Sequence, residues 1–95
     1  MFEFDPAKSE INKAKHGIDF IEAQLLWRDE NTLVVPARAG GEPRWLAVGT
    51  IDGRHWCAVI TLRGAVIRII SVRRAREGEV KGYERCKNET GHDHR

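Results

Sequence analysis

Six arginines, Arg54, Arg63, Arg68, Arg73, Arg74 and Arg76, stand between positions 54 and 76 with no acidic residue among them. Guanidiniums in such an unscreened stretch can fork onto phosphate oxygens, which makes a polyanion the natural ligand. A solvated strand face carrying ordinary surface arginines is the competing reading. The charge is unevenly spread along the chain: residues 1–36 hold four Lys/Arg against seven Asp/Glu, and residues 37–95 hold twelve against seven. Lys15-His16 adds a cation and an imidazole, a side chain able to serve as base or acid. Cleaving RNA without a metal needs a base for the 2′-hydroxyl, cations for the developing phosphorane and an acid for the leaving oxygen. Arg, Lys and His can supply all three, although a histidine at a helix end commonly does no more than face the last carbonyls.

Other chemistries find less support. His16, His55, His92 and His94 form no ligand motif, and the close pair His92/His94 reads as an adventitious metal binder in the tail, so neither a metal nor a cofactor is expected. Ser71 and Cys57 fall inside strand patterns with no base beside them, which argues against nucleophilic catalysis. Gly40-Gly41 leads into Glu42-Pro43 and no helix, so it is not a phosphate loop. Cys57 and Cys86 are far apart and outside any CxxC, and both are expected as free thiols. No apolar run reaches the roughly 18 residues of a membrane span, and Met1–Asp5 does not resemble a signal peptide. A cytoplasmic location without membrane contact is the expectation.

The elements that must position these groups follow from period and punctuation. Ninety-five residues fit a single domain, expected over residues 1–87, with residues 88–95 as a disordered tail. Phe2–Phe4 alternates as a short strand, and Asp5-Pro6 starts a helix whose inner face would be Ala7, Ile11 and Ala14 and whose end is Lys15-His16-Gly17. Asp19 and Glu22 have capping-box spacing for a second helix with Phe20, Ala23, Leu26 and Trp27 as its apolar stripe. Then four strands are predicted, Thr32–Val35, Arg44–Ile51, His55–Leu62 and Ala65–Val72, as an antiparallel meander with a loop at Ala37–Pro43. Asp52-Gly53 is the favoured two-residue turn, and Arg63-Gly64 a weaker one. Those two turns pair Ile51 with Arg54 and Leu62 with Ala65. They put Trp45, Ala47, Trp56, Ala58, Ile60, Leu62, Ile67 and Ile69 on the helix side, and Arg44, Leu46, Val48, Val59, Arg68, Ile70 and Val72 on the other. The second face is too apolar for water and needs a cover. A weak helix over Arg76–Lys87, interrupted by Gly78 and Gly82, is the one element of the chain left to provide it, and it is expected to cover the face only in part, leaving Val48 and its neighbours to a partner. The fold class is therefore α+β.

Phe2-Glu3-Phe4-Asp5-Pro6-Ala7-Lys8 with Asn12, Lys15-His16-Gly17-Ile18, Phe20 and Ala23 resembles the opening signature of BrnT-type toxins. Arg44 before a strand ending near Gly49, Thr61 with Arg63-Gly64, Arg68–Ala75 and then Tyr83-Glu84 resemble the closing signature of the same family. The likeness spans about residues 2–84. It implies a RelE-like fold, a ribonuclease that inhibits translation, and a BrnA-type antitoxin whose ribbon-helix-helix domain binds DNA, so that the toxin meets DNA only through its antitoxin. Carried over residue by residue, it implies an active surface of Lys15, His16, Arg63, Arg73 and Arg74, while Arg44, Arg54, Arg68 and Arg76 would bind RNA.

A second class of function stays open, a non-catalytic module of the same fold whose arginines dock on nucleic acid or on an acidic partner. Trp45 and Trp56 are assigned to the core face and Trp27 to a helix, which leaves few bases to stack and argues against sequence-specific RNA binding. No helix-turn-helix pattern points to a repressor acting alone.

Overall fold

The computed structural model describes residues 1–37 and 41–93, with side chains through Glu89; residues 38–40 of the expected loop, the His92 side chain, His94 and Arg95 lie outside the described residues. The elements run in the order β1 (Phe2–Glu3), α1 (Pro6–His16), a 3₁₀ helix (Glu22–Arg28), β2 (Leu33–Ala37), β3 (Arg44–Ile51), β4 (Arg54–Arg63), β5 (Val66–Arg74) and α2 (Glu77–Asp93). The class is α+β, but the sheet has five strands, in the order β1-β5-β4-β3-β2. It is mixed, because β1 lies parallel to β5 while the other neighbours are antiparallel. The expected four-stranded meander is thus completed by the first strand, whose pairing lies too far along the chain to be read locally.

Asp5 caps α1 by accepting from the Ala7 N–H, Pro6 opens the helix, and Gly17 closes it at φ 80° with its N–H on the Lys13 carbonyl. The inner face of α1 is not Ala7, Ile11 and Ala14; all three are exposed, Ile11 at 64%. Ser9 and Asn12 are buried instead. Beyond Arg68, β5 has no strand on its outer side among the described residues, so the Val72 N–H and carbonyl on that side lack a ladder partner. Asn12 takes that place: Oδ1 accepts from the Val72 N–H (3.1 Å), and Nδ2 donates to the carbonyls of Val72 (2.9 Å) and Ile18 (2.8 Å). Ser9 Oγ accepts from the Phe20 N–H (2.9 Å). Buried backbone groups must be paired, and this requirement outranks the apolar stripe in setting how α1 docks.

The capping box forms as expected, with Asp19 Oδ1 accepting from the Ile21 and Glu22 N–H and Glu22 Oε1 accepting from the Asp19 N–H. The helix it starts is 3₁₀ rather than α, and it buries Ala23 and Leu26 beside Phe20. Leu26 sits above Gly49 of β3, where a Cβ would collide with Thr32 Oγ1 and press on Leu26. One cluster, built from Ile18, Phe20, Leu26, Trp56, Ile60, Ile69 and Val72, fills the space between the helices and the sheet.

The β3–β4 turn is as expected, Ile51 facing Arg54 across Asp52 (φ 51°) and Gly53 (φ 80°), the signs a type I′ turn requires. The next turn is not. Arg63 faces Val66 across Gly64-Ala65, which gives the positive φ (62°) to Gly64 and spares Arg63 a left-handed backbone. A β-bulge then interrupts β5: Ile60 faces Ile69, but Val59 faces Ser71, leaving Ile70 as the extra residue. Past the bulge every side chain changes side. Val72 joins the helix-side core, Arg74 shares that side with Trp56, and Arg73 passes to the second face opposite Cys57. The expected placement of Val72 on the second face assumed unbroken alternation and is corrected by the bulge.

On the second face, α2 covers Val48 and Cys57 with Tyr83, and it continues to Asp93 rather than ending at Lys87. Polar clasps hold it down. Tyr83 Oη donates to Asp29 Oδ2 (2.6 Å), the same oxygen that accepts from the Thr50 N–H and hydroxyl. His55 Nε2 meets Glu84 Oε2 at 2.9 Å, and Glu79 takes a two-bond fork from Arg73. Burial alone would raise the Asp29 carboxyl, but hydrogen bonds from Tyr83, Asn31 and Thr50 outweigh it and hold the group below its ordinary range.

Candidate nucleic-acid interface

The sheet sorts the arginines into two groups at opposite ends. Trp56 and Arg74 face each other at one end, and Arg63 and Val66 at the other. Seven steps along β4 at about 3.3 Å each put roughly 23 Å between them. Arg63 and Arg74 therefore cannot grip one phosphate, and the implied catalytic set is divided.

At the first end, Arg54 lies two residues from Trp56 on the same strand face, and Arg74 lies over the Trp56 ring with its guanidinium carbon 5.3 Å from the centroid. Gly17 and Ile18 form the opposite wall of a cleft of about 410 Å³ that also includes Glu22, Leu25, Ile51, Asp52, Arg54 and Trp56. Lys15, exposed, and His16, half-buried, are the residues immediately before this wall. The helix thus delivers Lys15-His16 to the end of the sheet that carries Arg54 and Arg74. Neither arginine has a carboxylate partner among the described residues, whereas Lys13 is paired with Glu22 at 2.7 Å.

Arg73 is next to this cleft in sequence but on the other face. Its Nη1 and Nη2 each donate to Glu79 at 2.8 Å, and Nη1 also reaches the Arg74 carbonyl (3.3 Å). The Arg73 guanidinium holds the Glu79 carboxyl down at about 2, against the opposing effect of burial. Glu79 also accepts from the Arg76 N–H (2.8 Å), closing the first turn of α2, while the Arg76 side chain is exposed. Arg73 is thus occupied as a strut between β5 and α2. Burial, with the nearby Glu79 charge second, pushes the Cys57 thiol up to about 11, so it is protonated at neutral pH and no nucleophile.

The second group comprises Arg44 at the start of β3, Arg63 at the end of β4 and Arg68 on β5 opposite Thr61. Glu3 lies 4.0 Å from Arg63 and 3.6 Å from Arg68, and Glu42 lies 3.7 Å from Arg63, long and exposed pairs that a competing anion can displace. On the adjoining second face Leu46 packs against the cluster that Tyr83 seals, and both Leu46 and Val59 are half-buried.

Sequence reasoning assigned Trp56 to the core alone and missed it as a support for Arg74. The Arg54-x-Trp56 spacing beside a tight turn was a signal for one strand face, but the bulge that brings Arg74 to that face was not. Glu79 carried a signal, standing three residues after Arg76 at a helix start. The Asp29–Tyr83 bond, spanning 54 residues, carried none. Among the described residues no three His, Cys, Asp or Glu side chains are grouped to hold a metal ion, and no helix is long and apolar enough to cross a membrane.

A mixed sheet with helices on both faces, and a cleft at one end of it where Arg54 and Trp56 stand beside Glu22 and Asp52, defines a small α+β protein. The family model for the BrnT ribonuclease toxin of type II toxin-antitoxin systems matches residues 4–79, and the chain belongs to that family. A search of the curated proteins gave no match.

Proposed function

We propose that this chain is an active endoribonuclease toxin of the cytoplasm that cleaves mRNA without a metal ion, thereby inhibiting translation, and that a BrnA-type antitoxin with a ribbon-helix-helix domain neutralises it. The single observation that carries the catalytic reading is the cleft lined by Arg54 and Trp56, with Arg74 over the Trp56 ring and neither arginine paired by an acid among the described residues, beside the helix end bearing Lys15-His16. In this reading His16 takes the 2′-hydroxyl proton as that oxygen bonds to phosphorus, Arg54, Arg74 and Lys15 stabilise the phosphorane, and the bond to the 5′-oxygen breaks as Lys15 gives that oxygen a proton, leaving a 2′,3′-cyclic phosphate. Arg73 positions Arg74 by anchoring the strand end to α2. Arg44, Arg63 and Arg68 bind a more distant stretch of RNA backbone, and Arg76 contributes at the rim.

Arg74→Ala should lower kcat on a defined RNA by roughly a hundredfold, the scale of one lost donor to a developing oxyanion. Arg63→Ala should raise KM with kcat nearly unchanged, and Arg85→Ala on α2 should do neither. Chelation of divalent ions should leave the rate unaltered. Absence of new RNA ends with purified wild-type protein would favour the binding module, a reading to which the occupied Arg73 guanidinium lends support.

A further inference from the structure

The cleft beside Arg54 has features that phosphate chemistry leaves unused. Ile18, Leu25 and Ile51 give it apolar walls beside a few polar groups, the usual make-up of a small-ligand site. Trp56 lines the cleft, and the exposed Arg74 lies over its ring with the guanidinium carbon 5.3 Å from the centroid, a platform at the cleft's side. Guanidinium planes of this kind accept nucleobases. Two carboxylates line the cleft. Glu22 is already engaged by Lys13 and by the Asp19 N–H, whereas Asp52 makes no hydrogen bond or ion pair with another described residue. The type I′ turn fixes the Asp52 backbone, and the exposed side chain it carries is left unengaged beside the cleft.

A carboxylate offers two acceptor oxygens and no donor. Among the four RNA bases, guanine alone presents two adjacent donors, N1–H and N2–H, on its Watson–Crick edge. Adenine and cytosine set a ring acceptor beside the amino group, and uracil flanks its single N–H with two carbonyl oxygens. We infer that the cleft is a guanine site, in which the base stacks on the Arg74–Trp56 platform and donates N1–H and N2–H to Asp52 while Arg54 holds an adjoining phosphate. The inference rests on the ribonuclease reading for its ligand and makes Asp52 the specificity-determining residue of the same site.

The test is binding of GMP, AMP, CMP and UMP to the full chain, followed by calorimetry and by the indole N–H resonance of Trp56. GMP should move that resonance and bind roughly tenfold more tightly than AMP, the discrimination one good bidentate contact provides. Asp52→Asn should bring GMP to within about twofold of AMP. Asn-Gly is itself a favoured type I′ pair, so this variant keeps its turn and its thermal melt. Arg74→Ala should weaken all four ligands. Equal affinities for GMP and AMP, a preference that survives Asp52→Asn, or no shift with either GMP or a guanine-containing trinucleotide would overturn the guanine site. Cleavage is scored separately on oligonucleotides that differ by one G-to-A change. Equal cleavage of both overturns the guanine site and leaves the ribonuclease reading standing. Selective GMP binding without any cleavage keeps the guanine site and overturns the ribonuclease. GMP binding as tight as that of the trinucleotide keeps the guanine chemistry and assigns the cleft to a free nucleotide.

Discussion

Asn12 does at a single position what a neighbouring strand would otherwise do, satisfying both backbone groups of Val72 and the carbonyl of Ile18. Replacing it by Ala leaves three buried groups unpaired, and a loss of about 3 kcal/mol or more is expected from denaturant unfolding. Ile11→Ser on the same helix, at a position 64% exposed, should change stability by no more than about 0.5 kcal/mol. Sequence periodicity ranks these two positions the other way round, because it scores side-chain polarity and is blind to an unpaired strand edge 60 residues away. The residues legible in the sequence were those whose demands are local. Asp5, Pro6 and Gly17 bound α1 as read, Asp19 and Glu22 cap as read, and Asp52-Gly53 turns as read.

At the scale of elements, β3 was legible to the residue and β5 only as far as Ile69. Nothing in Arg68-Ile69-Ile70-Ser71 announces that Ile70 will be passed over, since an apolar residue suits either side of this sheet. The error propagates to Val72, Arg73 and Arg74, and so to the site itself. The C-terminal helix was under-read for a related reason: Gly78 and Gly82 weaken it locally, while Tyr83, Glu79 and Glu84 hold it by contacts with distant strands. Those contacts make its docking sensitive to acid. The Glu79 carboxyl falls from an ordinary 4.5 to about 2 on folding, held first by its bonds to Arg73 and opposed by burial. Its contribution is therefore complete above about pH 4.5 and is lost as pH falls through about 2. Amide exchange along α2 should accelerate relative to that in β3 and β4 across that window. In Glu79→Gln, α2 should exchange faster at neutral pH and the acid-dependent step should shrink, with Asp29, also held below its ordinary range, responsible for what remains.

As a whole, the molecule carries separated basic ends and, on the α2 side of the sheet, half-buried apolar residues at the margin of the Tyr83 cluster. Val48, expected to be open to a partner, is sealed beneath Tyr83; the half-buried apolar residues of that face include Leu46 and Val59, near Arg44, Arg63 and Arg68. An acidic antitoxin segment suits this surface, its carboxylates displacing the long pairs with Glu3 and Glu42. Val59→Asp should weaken the toxin–antitoxin complex at least about tenfold, mostly through faster dissociation, as surface plasmon resonance would register. Unchanged affinity in a folded variant would move the antitoxin to another surface. The pairing of β1 with β5 has a consequence in time as well as in space. Phe2 must wait for Ile67, and Asn12 for Val72, so α1 cannot be seated while β5 is still inside a ribosome. Lys15 and His16 leave the tunnel well before Arg54 and Arg74, and the end of the sheet they share is complete only once β5 has emerged. A nascent chain that stops short of Arg74 therefore has every residue of α1 and no surface on which to seat it.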